Sequence, residues 1–139
     1  MMRKIKFLLF SVVFLYSPST NAQGIKNVEF FDIQKDSVTQ IVPTSAVFQK
    51  AAEDYLKGIN GIYVKVKPIP SQGYMVKIPL EPSVQINNEW INELVDEVII
   101  IFTKEEPPYL MVFDDENNPH FFHFQGNTDI IAKTFNLTH

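Results

Sequence analysis

The densest run of side chains able to do chemistry is Asp114-Asp115-Glu116-Asn117-Asn118-Pro119, followed at once by His120. Five successive oxygen-bearing side chains suit a hard cation such as calcium, and an adjacent imidazole adds a nitrogen donor of the kind zinc takes. Asp114, Asp115, Glu116, Asn118 and His120 are therefore the candidate metal ligands. Asp114, Glu116 and Asn118 begin like an EF-hand loop, but Pro119 stands where that loop needs Gly and Gln125 where it needs Glu. The competing account is a hairpin turn that uses Asp, Asn and Pro for their backbone preferences. His120 and His123 form an H-x-x-H. On a strand, positions three apart face opposite ways, so these two imidazoles are not expected to converge.

A second group is defined by charge. Tyr63, Lys65 and Lys67 alternate with Ile62, Val64 and Val66, and Lys77 lies in a similar alternation from Tyr74 to Leu80. If the two runs form a hairpin, Tyr63, Lys65, Lys67 and Lys77 gather on its wet face as a basic, aromatic-flanked stripe. Such a stripe suits an anionic cell-envelope component or an acidic exported protein. The competing account is a solvated face whose lysines discourage edge-to-edge pairing.

Nucleophilic chemistry has little support. No G-x-S-x-G, S-x-x-K, H-E-x-x-H or Gly-rich phosphate loop occurs, and there is no cysteine. The residues favour a non-catalytic binding module without a cofactor. A calcium- or zinc-binding protein, extending to a hydrolase that uses the Asp114–Asn118 turn and a nearby histidine, is the alternative.

These groups must be positioned by a small domain. Arg3, Lys4 and Lys6 precede the apolar run FLLFSVVFLY, and small residues at Thr20 and Ala22 follow it. This is the pattern of a signal peptide ending at Ala22. The apolar run is too short to span a bilayer as a helix, so secretion or another extracytoplasmic location is expected, with residues 23–139 as one domain. The lack of cysteine suits bacterial export without oxidative folding. After Ala22, nine lysines face sixteen acids, a formal charge of −7 with no arginine. Nucleic acid is excluded on that ground, because phosphate recognition leans on Arg and a net positive surface.

Within the domain, Phe48, Ala51, Ala52, Tyr55, Leu56 and Ile59 mark one face of a helix over 45–59. Glu53 and Lys57 are ordered for an i,i+4 pair. Val28–Ile33 is a candidate first strand, with Gln34–Pro43 as a connector. Runs 62–67 and 74–80 are the expected hairpin, Pro79 marking an edge or a bulge. Trp90, Ile91, Leu94 and Val95 suggest a short helix over 89–95, the alternative being a long connection packed over the sheet edge by Trp90. Val98–Phe102 and Tyr109–Phe113 are apolar at successive positions, as in mid-sheet strands covered on both faces. A strand over 120–125 and a short helix after Thr128, with Ile130, Ile131 and Phe135 inward, complete the order. The fold class is α+β, an amphipathic helix packed on an antiparallel meander. Its element order is similar to cystatin-like folds, a likeness of arrangement that implies no activity.

Overall fold

The computed structural model describes residues 26–65 and 67–137; the expected signal peptide, 1–22, lies outside them. The described chain is α+β. Strands β1 (Asn27–Asp32), β2 (Ser37–Pro43), β3 (Ile59–Ile62), β4 (Tyr74–Asn87), β5 (Asn92–Phe102), β6 (Tyr109–Phe113) and β7 (Pro119–Phe124) form one sheet. Its order is β2-β1-β4-β5-β6-β7-β3, with antiparallel neighbours throughout. The run β4-β5-β6-β7 is a meander of strands consecutive in sequence.

Helix α1 (Ala46–Lys57) starts where Ser45 Oγ accepts the Phe48 N–H, 3.4 Å away, and it stops at Gly58. Lys57 and Glu53 pair at 3.2 Å on its outer surface, as their spacing predicts. Phe48, Ala52, Tyr55 and Leu56 are buried. They pack with Val76 and Ile78 of β4, Val98 and Ile100 of β5, Leu110 and Val112 of β6 and Phe122 of β7. Helix α2 (Asp129–Thr134) closes the same core with Ile131 and the following Phe135. Each large aliphatic or aromatic side chain withdrawn from water here contributes about 1.5–3 kcal/mol. The intervening residues of the central strands, Ile99, Ile101, Tyr109 and Met111, form a second buried cluster on the opposite face. Continuous apolar character in β5 and β6 is thus explained by cover on both sides.

Three expectations are corrected. The hairpin of 62–67 with 74–80 does not form: β3 ends at Ile62 and pairs with β7, while β4 pairs with β1 and β5. Alternation marks strand-competent residues but does not choose their partner. That choice follows from Gly58, whose C=O accepts the Gln125 N–H at 2.9 Å, so the chain leaving α1 enters the sheet beside β7. A Cβ at Gly58 would lie 2.1 Å from the Gln125 carbonyl oxygen, so glycine is what permits this approach.

The helix over 89–95 is replaced by the turn and opening of β5. Asn88 Oδ1 accepts the N–H groups of Trp90 (2.8 Å) and Ile91 (3.0 Å), making a tight turn instead of capping a helix. Val95 then faces the core and Leu94 lies 64 % exposed, an alternation of period two. Finally, most of the expected connector 34–43 is β2, an edge strand whose exposed positions disguise it in sequence. Pro79 lies in an interior strand, at an irregularity in the β4–β5 ladder between Pro79 and Val84.

Candidate functional site

Tyr63 is the first residue beyond β3, and its N–H still donates to the Phe121 carbonyl at 3.0 Å. That bond turns its side chain onto the sheet face remote from the helices, where its ring stacks on Tyr109 of β6 with centroids 3.8 Å apart and planes 6° from parallel. The His123 ring meets Tyr63 edge-on at 5.1 Å. The Tyr63 hydroxyl donates to Glu106 Oε2 at 2.6 Å, and Lys65 Nζ reaches the same oxygen at 3.3 Å. Glu106 is set in the β5–β6 turn by its N–H, which donates to Thr103 Oγ1. The Tyr109 hydroxyl donates to the Pro68 carbonyl at 2.5 Å. Two tyrosine hydroxyls and one carboxylate thus hold the chain that follows β3 against the sheet.

Electrostatics make this arrangement a clamp. The Tyr63 hydroxyl, and then Lys65, hold the Glu106 carboxyl below its ordinary pKa against the opposing effect of burial. Burial, reinforced by the bond to Glu106, pushes the Tyr63 phenol well above its ordinary value. Burial also raises Tyr109. An ionised acid beside a phenol held neutral fixes a strong charge-assisted hydrogen bond and exchanges no proton near neutral pH.

The four residues expected on one wet face are therefore divided. Tyr63 is buried and belongs to the clamp; Lys65 is more than half exposed and shared with Glu106; Lys67 is exposed. Lys77 is held on the same sheet face at 3.5 Å from Glu29 of the adjacent strand β1. Glu97 lies beside this pair, and burial raises its carboxyl pKa even though Lys77 acts to lower it. Lys65 and Lys77 are each shared with a carboxylate, Glu106 and Glu29, while Lys67 is exposed. What stands out is apolar: Val64 is 82 % exposed, Ile62 54 % and Ile69 45 %, in the same stretch as Lys65 and Lys67.

The acidic turn joins β6 to β7. Asp114 Oδ1 accepts the N–H groups of Glu116 (2.9 Å) and Asn118 (2.8 Å), and Oδ2 meets His120 Nε2 at 2.9 Å and Asn118 Nδ2 at 3.4 Å. His120, first, and the Asn118 N–H, second, hold Asp114 down to about 2. Asn117 has φ 66°, a left-handed conformation that Asn tolerates better than most residues. Asp115, Glu116 and Asn118 are exposed. Among the described residues no three His, Cys, Asp or Glu side chains come together as a metal-ligand group. The oxygens of Asp114 are engaged in building the turn.

Glu106 and Tyr109 were not singled out in sequence. Glu106 sits in a polar Pro-containing break and is 43 residues from Tyr63, so no local spacing relates them. No protein-family model matches the chain, and no curated protein or solved structure is significantly similar to it.

Proposed function

We propose that this chain is a small exported, non-catalytic interaction module whose contact region is centred on Ile62, Val64 and Ile69, with Lys65 and Lys67 beside them. The observation that carries this reading is the grouping of exposed apolar side chains on a stretch the protein clamps in place through Tyr63, Glu106 and Tyr109. Isolated exposed apolar residues are ordinary, but a grouped set on a held segment is what a docking surface needs. Holding the segment in advance lowers the ordering cost on binding.

Export rests on the basic start and the apolar run Phe7–Tyr16. Among the described residues no helix is long and apolar enough to cross a membrane. The helix-on-meander order supports a cystatin-like arrangement, and the partner class that fits best is another exported protein. Lys77, held by Glu29, is left out of the contact region.

Site-specific crosslinking tests the reading. A photoreactive residue at Val64 is expected to give adducts in the exporting cell that one at Asp115, on the acidic turn, does not. Equal labelling from both positions would remove the contact region from consideration.

A further inference from the structure

Four glycines occur among the described residues, and the fold requires three of them. A Cβ at Gly58, Gly73 or Gly126 would lie 2.1, 2.3 or 2.7 Å from a neighbouring atom. Gly61 is different. A Cβ there would meet nothing within 4 Å, and its φ is not positive. Its distinction is the residue before it, because Asn60-Gly61 is the one Asn-Gly pair in the chain.

Asn60 lies in β3, the four-residue strand at one end of the sheet. The β3–β7 register passes from Ile59 opposite Phe124 to Gly61 opposite His123 and gives Asn60 no partner. It is the extra residue of a bulge. Asn60 is exposed, and among the described residues its side-chain amide has no hydrogen-bond partner. Asn88, Asn118 and Asn127, by contrast, use their amides to build turns.

We propose that Asn60 is a site of self-modification, converted to aspartate and to iso-linked aspartate with water as the co-reactant, and that the iso-linked product loosens the segment after β3. The Gly61 nitrogen bonds to the Asn60 side-chain carbonyl carbon and gives up its proton, while the carbon–nitrogen bond of the side-chain amide breaks and ammonia leaves. Water then opens the five-membered imide, adding its hydroxyl to one carbonyl carbon and a proton to the Gly61 nitrogen. Opening at the side-chain carbon gives aspartate. Opening at the main-chain carbon leaves the chain running through the former side chain. Glycine favours the attack because it puts no Cβ beside the nucleophile and moves freely in φ and ψ.

Gly61 is registered with His123, so its nitrogen can reach Asn60 only when this end of β3 opens. β3 is short, and among the described residues it borders a strand on one side only. Elements held by so few contacts open at low cost. The iso-linked product adds a main-chain carbon between Ile59 and Gly61, just before Tyr63, whose N–H is seated on Phe121 and whose hydroxyl is seated on Glu106. The reaction needs no partner, and so it is independent of the proposed contact region.

The test incubates the folded, purified protein in warm neutral buffer and follows the tryptic peptide 58–65, which holds no other asparagine and no glutamine. The expected result is a mass gain equal to replacing an amino group by a hydroxyl, with ammonia released in equal amount and two products separable by chromatography. Gly61→Ala should keep the native Tm and slow the reaction about tenfold, because a Cβ bars the conformations that glycine alone visits readily. No gain in the folded protein while the urea-unfolded chain reacts would overturn the proposal. So would Gly61→Ala reacting at the unsubstituted rate, or a gain at other asparagines in place of Asn60. Hydrogen exchange at the Tyr63 amide should be faster in the iso-linked product than in Asn60→Asp, which carries the same charge on an unaltered main chain. Equal exchange would overturn the loosening.

Discussion

The two faces of the sheet are closed by different means. One is covered by α1 and α2 and is held mainly by apolar contacts among Ile78, Ile100, Leu110, Phe122 and their neighbours, with the Tyr55 hydroxyl donating to the Asn127 carbonyl at 2.8 Å. The other is closed by its own long side chains and by the chain after β3, through Tyr63, Tyr109, Glu106 and the Glu29–Lys77 pair. Apolar burial is non-directional and tolerates many sequences of about the right volume. Buried hydroxyls and carboxylates need named partners at hydrogen-bond distance. The helix face therefore carries most of the stability, and the clamp face carries position and the exposed segment at its margin.

Substitutions should separate the two. The largest effect is expected from Ile100→Ala, which opens a cavity beneath α1 at a fully buried position; a loss of about 2–5 kcal/mol in chemical denaturation is predicted. Tyr63→Phe keeps the stacked ring but deletes the bond to Glu106, and should cost about 1.5 kcal/mol. A loss as large as that of Ile100→Ala would erase the contrast between the faces. A double-mutant cycle with Glu106→Gln should show that most of the loss is coupling between the two side chains.

Titration reaches both faces, through Tyr55 on the helix-covered face and Tyr63 and Tyr109 on the other. Tyr55, Tyr63 and Tyr109 all have phenols raised by burial, Tyr55 to about 12. Their neutral forms are favoured in the folded state, so the stability they contribute is full below the ordinary phenol range, about pH 10, and is lost as pH rises above it. Glu106 and Asp114 are lowered. Their contribution is full above the ordinary carboxyl range, about pH 4, and is lost as pH falls, for Asp114 down through about 2. Asp114→Asn should flatten the acid limb of a Tm-against-pH curve. Glu97 has the opposite sense: its carboxyl is raised, so the charged form is disfavoured in the folded state. Glu97→Gln should raise Tm at neutral pH, and the gain should vanish in acid.

The smallest effect is expected from cations. Calcium or zinc added to EDTA-treated protein should leave Tm unchanged, because Asp114 is committed to its own turn. A ligand bound only by the folded state at a hundred times its Kd would add about 2.7 kcal/mol, an easily seen shift.

The sequence alone determined what depends on near neighbours. Ser45, Gly58 and the 3.6-residue stripe from Phe48 specify α1 within its own length, and successive apolar positions in Val98–Phe102 and Tyr109–Phe113 place β5 and β6 in mid-sheet. Asp114 and Asn117 determine their turn by bonds that reach only a few residues. Tertiary structure alone decided the rest. Whether Ile62–Lys67 pairs with β4 or β7, whether Trp90–Val95 runs as helix or strand, and whether Tyr63 faces water or Glu106 all depend on contacts between residues far apart in the chain. A period of two or of 3.6 records which residues share a face. It carries no information about which distant strand, ring or carboxylate that face will meet, because that is settled by the simultaneous packing of the whole sheet.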